Sequence, residues 1–107
     1  MEQIPLDEYI AGIETLVPLA QSDTGGSRVA AQVLLSACNG EAFQLNIVDL
    51  GLLDEKYYQA ALAVIRGRTE HRAEPHALIF DGETIFPALW MQWKGHQAQS
   101  WKQKYGE

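Results

Sequence analysis

Apolar residues recur along most of this chain at spacings of three and four, the period of a helix with one buried face. Leu6, Tyr9, Ile10, Ile13, Leu16 and Val17 mark the first such segment, Leu6 to Ala20. Asp7 and Glu8 in its opening turn suit the positive end of a helix dipole, and Pro18 is expected to end or kink it. Polar and glycine residues from Ser22 to Gly26 interrupt the pattern. It resumes with Val29, Val33, Leu34 and Ala37, with Thr24 or Ser27 as the cap and Asn39 or Gly40 as the left-handed terminal residue. Phe43, Leu45 and Ile47 alternate with polar positions, as in a short strand or an extended connection. The clearest helix follows. Asp54 caps it, Tyr58, Ala61, Leu62 and Ile65 form its apolar face, Arg66 sits in its last turn, and Gly67 stops it.

Two patterns overlap in "ALIFDGETIFPALWMQW". Asp81-Gly82 between two apolar runs signals a β-hairpin. Ile85, Leu89 and Trp93, with Phe86 and Trp90, fall at helical spacing, and Pro87 is tolerated in a first turn begun near Thr84. The helical pattern is longer and is preferred over a hairpin at residues 78–87. The predicted fold is therefore mainly α, a compact bundle of about four helices with short connections and at most one small hairpin. Residues 1–95 form a single helical domain, and 96–107 a polar C-terminal extension.

Composition narrows the function more by exclusion than by suggestion. In 107 residues, 47% hydrophobic and 21% charged are ordinary globular values. The single cysteine, Cys38, cannot close an internal disulfide, so a reducing cytoplasm is the expected location. The acidic opening lacks the basic region of a signal peptide, and no apolar run reaches membrane-spanning length. Charge is uneven. Residues 1–55 hold nine acids against one base, Arg28, for −8, and residues 56–107 hold seven bases against five acids, for +2. Without a basic stripe, direct nucleic-acid binding is disfavoured. An acidic half suits a basic protein partner, although acids also simply solvate helix faces.

The densest group of site-type residues is "TEHRAEPHALIF", with His71, Glu74 and His76. Metal binding needs three or four converging ligands. These histidines are five apart rather than four, and Pro75 pushes Glu74 out of helical geometry, so no one helix face presents all three. A connector is the favoured reading, a metal site its alternative. "SDTGGSR" lacks the ending of a phosphate loop and reads as a turn with an N-cap. Arg28, unfavourable in a first turn, is expected to pair with a carboxylate such as Asp23 or one on the first helix. Cys38 has no local cysteine–histidine signature and reads as a small buried hydrophobe. Trp90, Trp93 and Trp101, bordered by Lys94, Lys102 and Lys104, read as core or as an interface anchor. The interface candidates are Trp93, Trp101, Lys94 and Arg28.

The series "SDTGGSRVAAQVLL", "NIVDLGLLDEKYYQAALAVIRG", "EPHALI" and "IFPALWMQW" resembles a small domain family of unknown function found in proteobacteria, phages and plasmids. It spans roughly residues 22–93. The resemblance implies an accessory protein of a mobile element, with no established activity and no catalytic residues. Together these features predict a cytoplasmic, non-catalytic protein-binding module without a cofactor, with a homodimer as one form of partnership. An acidic inhibitor of a nucleic-acid-handling complex is a further alternative.

Overall fold

The computed structural model describes residues 2–96, all of whose regular structure is helical. Four α-helices, α1 (Leu6–Gln21), α2 (Gly25–Cys38), α3 (Glu55–His71) and α4 (Gly82–Trp93), are joined or followed by 3-10 turns at Ile47–Leu52, Pro75–Ala77 and Lys94–His96. The mainly α bundle expected from periodicity is the one observed.

α2 is the innermost element. Val29, Ala30, Ala31, Val33, Leu34 and Leu35 are all buried, and α2 touches α1, α3, α4 and the first two 3-10 turns. Its start is set by Thr24, whose extended backbone precedes the helix. The Thr24 N–H donates to Ser27 Oγ at 3.0 Å, and the two hydroxyls lie 3.0 Å apart. A buried serine is thus paired within the cap, in the manner of a capping box with serine replacing glutamate. At the other end Asn39 is extended rather than left-handed. Its side-chain oxygen accepts from the Glu41 and Ala42 N–H groups at 3.0 and 3.1 Å, and this Asx turn replaces the left-handed cap.

α1 and α3 meet along a seam of small residues. A Cβ on Gly12 would lie 2.8 Å from the Ala60 carbonyl oxygen, and one on Gly67 would lie 2.0 Å from Cγ of Tyr9. Gly67 therefore does not stop α3, which runs on to His71. Its missing side chain is where the fully buried Tyr9 ring sits. The helix ends instead at Arg72, left-handed at φ 56°, whose N–H returns to Arg68 O. The buried face of α3 is Ala60, Ala61, Val64 and Gly67, while Tyr58 and Ile65 are exposed. Close helix approach selects the small-residue face over the bulkier one.

Both internal prolines are exposed and tolerated. α1 continues past Pro18 to Gln21, and α4 begins before Pro87, at Gly82. Asp81 adopts the left-handed conformation a tight hairpin would use (φ 62°), but here it opens a helix, its carbonyl accepting from Thr84 and Ile85 N–H. Burial of Phe86 and Leu89 decides the outcome in favour of the helix. The alternating stretch around Phe43 forms no strand. Phe43 is buried edge-on against Trp90, with ring centroids 4.8 Å apart, and Ile47 already belongs to a 3-10 turn.

Gly67→Ala is expected to destabilise the fold by about 1–3 kcal/mol through overpacking against Tyr9. Gly25→Ala, at a helical position with open space around it, should stabilise by roughly 0.4–1 kcal/mol. Urea unfolding of both variants checks the contrast.

Candidate functional site

The His71–His76 stretch is divided by the fold. His71 Nε2 lies 2.6 Å from Ile4 O, and its ring stacks against Tyr9. Next to it, Glu70 accepts from the Ile4 N–H and from Arg66, and both contacts hold its carboxyl below the usual range. This end of the stretch pins the N-terminal segment. Glu74 and His76 face elsewhere. His76 Nε2 is 3.7 Å from Glu74 Oε2, and His76 Nδ1 is 3.7 Å from Cys38 Sγ. His71 is not brought to the other two, and among the described residues no group of three or more His, Cys, Asp or Glu could hold a metal ion.

Two of the four interface candidates are engaged within the protein. The Trp93 indole N–H donates to Ala20 O at 2.9 Å, tying α4 to the end of α1. Arg28 reaches Asp49 at 3.1 Å and Gln32 at 2.9 Å, rather than Asp23 or a carboxylate on α1. Lys94 is exposed. Trp101 lies outside the described residues.

Two surfaces emerge that periodicity did not single out. The first is a ridge on the 3-10 turn. Ile47, Val48 and Leu52 are 74%, 79% and 59% exposed, whereas Leu50 between them is buried and anchors the turn. Asn46 Oδ1 accepts from the Val48 N–H at 3.0 Å, and the Arg28–Asp49 pair clasps the turn to α2. Beside the ridge lies a groove of about 570 Å³, its walls including Ile47, Leu50, Tyr58 and Leu62. Glu55, exposed, also lines it. Adjacent aliphatic residues in "NIVDLGLL" were the available signal, since a helix or strand facing the core would not expose Ile47 and Val48 together.

The second surface is a cleft of about 620 Å³ between the end of α2 and α4, lined by Leu35, Cys38, His76, Phe86, Trp90 and Met91 among others. Gly82 is what lets the chain approach here, because a Cβ on it would lie 2.0 Å from His76 O. Burial pushes the half-buried Cys38 thiol up to about 11, opposed by its contact with His76. Cys38, expected as a small buried hydrophobe, is only half-buried, and its thiol faces an imidazole.

The sequence profile of a family of unknown function, DUF7673, matches residues 10–94. The chain belongs to the DUF7673 family. Both surfaces fall within the DUF7673 match, as do all four α-helices apart from the first turn of α1. No curated protein and no solved structure matches the chain. None of the helices is long and apolar enough to cross a membrane, among the described residues.

Alkaline pH should weaken the fold in a defined window. Cys38 is raised from 9.0 to about 11 by burial, and Tyr9 from 10.0 to about 12 for the same reason. Groups with raised folded values contribute stability that is intact below their ordinary values and lost as pH rises through the folded ones. Stability should therefore decline between pH 9 and 12, with Cys38→Ala removing the earlier part of the decline. Thermal melts stepped through that range test this.

Proposed function

We propose that the protein is a protein-binding module that docks a partner on the Ile47–Leu52 ridge. The observation that carries this is the outward display of Ile47, Val48 and Leu52 on a turn held in place from beneath by Leu50 and Asp49. Large aliphatic side chains exposed together on a rigid support lose little conformational freedom on binding, and covering them releases water from apolar surface. The groove beside them has room for a partner's anchoring side chains.

The surrounding charge describes the partner further. Glu55 lines the groove, within a half of the chain that carries −8 (nine acids, one base). A complementary surface presents apolar anchors inside a basic rim, and the opposed charges speed encounter and fix orientation. The engaged state of Trp93 and Arg28 favours this ridge over the tryptophan-rich end of the chain as the docking face.

A photo-crosslinking residue at position 48 should capture one partner from cell lysate at stoichiometric yield. Ile47→Asp should weaken that partner's binding by at least about 2 kcal/mol, roughly 30-fold, while Lys94→Ala leaves it unchanged. Undiminished binding to Ile47→Asp, with the variant folded by circular dichroism, would overturn the assignment. A crosslinked species at twice the chain mass would identify a second copy as the occupant.

A further inference from the structure

We propose that Cys38, His76 and Glu74 form an acyl-accepting thiol site, with the cleft between α2 and α4 holding the acyl chain of a thioester. The three residues supply the parts that nucleophilic catalysis requires, a nucleophile, a base within reach and a group that orients the base. Cys38 Sγ lies 3.7 Å from His76 Nδ1. Glu74 Oε2 lies 3.7 Å from the other ring nitrogen, too far for a strong hydrogen bond but close enough to favour the proton on Nε2. That tautomer leaves the Nδ1 lone pair facing the thiol. Glu74 is a positioning residue in this arrangement.

The chemistry follows from the surroundings. Burial keeps the thiol protonated near neutrality, so no preformed thiolate is available and His76 must take the proton during attack. As Sγ bonds to the thioester carbonyl carbon, its proton passes to Nδ1. The carbon–sulfur bond to the original thiol then breaks, and His76 returns the proton to the departing thiolate. The products are S-acyl Cys38 and a free thiol, with no oxidant or other reactant needed. A thiol leaving group demands less protonation than an amine, which suits a site with a single base. The walls contributed by Leu35, Phe86, Trp90 and Met91 suit an uncharged aliphatic chain, and the volume of about 620 Å³ is that of a small-molecule site. Glu83 lines the cleft and disfavours an anionic chain. Arg68 from α3, bonded to Ala37 O, is the nearby cation.

The test incubates the full chain with the octanoyl thioester of N-acetylcysteamine and follows intact mass. One hydroxylamine-sensitive octanoyl group should appear, and because Cys38 is the sole cysteine the site is unambiguous. The rate should exceed that of a free-cysteine peptide by on the order of 100-fold. Cys38→Ser should abolish it, His76→Gln should remove most of the acceleration, and an acetyl thioester should react more slowly. Glu74→Gln should lower the maximal acylation rate while leaving the donor concentration for half-maximal rate unchanged, since Glu74 lies outside the cleft lining that holds the chain. A purely structural role for Glu74 would disturb the cleft and change both. Acylation no faster than the peptide's, equal rates for acetyl and octanoyl donors, or an unchanged rate in a folded His76→Gln variant would each overturn the proposal.

Discussion

The Tyr9 ring rests on the bare backbone of Gly67, and much of the remaining structure is arranged around that contact. It lets α1 and α3 approach closely enough for Gly12 to meet the Ala60 carbonyl. The phenol O–H then donates to Ala73 O at 2.6 Å, beyond the end of α3, and so fixes where the chain goes after the helix. That path carries Glu74 and His76. Arg68, one turn from the helix end, donates to Ala37 O at 2.7 Å and holds the same region against the end of α2. The meeting of His76 with Cys38 is thus the downstream result of a tyrosine placed where a glycine leaves room.

Helix existence was readable because burial of one face imposes a period that local sequence displays. Helix ends were less so. Gly67 looks like a stop when only chain-local energetics are considered, since glycine weakens a helix interior. Its tertiary role, invisible without knowing that Tyr9 lies opposite, outweighs that cost. Asp81-Gly82 carried a similar ambiguity. The same left-handed residue can close a hairpin or open a helix, and the choice rests on whether Phe86 and Leu89 find a core. Asn39 was correctly placed at a boundary, yet its side chain bonds forward to Glu41 and Ala42 instead of permitting a left-handed turn.

Site residues separated along a different line. Neighbours in sequence, such as His71 and His76, invite grouping, but a helix terminus lies between them and sends them to different partners. The pair that does meet, Cys38 and His76, is 38 positions apart, and only tertiary packing creates it. Arg28 was recognisable as a cation in need of a carboxylate, and its partner Asp49 could not be chosen from the list of acids without the fold. The ridge left one trace in the sequence, the adjacent aliphatic residues of "NIVDLGLL", which did not show that they face outward. Ile47 and Val48 belong to residue types that normally face inward, so their exposure is a fact about this particular turn.

The interior position of α2 has a consequence for how the two surfaces coexist. Arg28, which clasps the ridge, and Cys38, which opens on the cleft, are ten residues apart along one helix, a separation of about 15 Å. Packed on several sides, α2 behaves as a rigid strut between them. If the ridge docks a protein and the cleft an acyl chain, as proposed, the two occupants sit at opposite ends of that strut, each leaving the other's place open and both held at a set spacing.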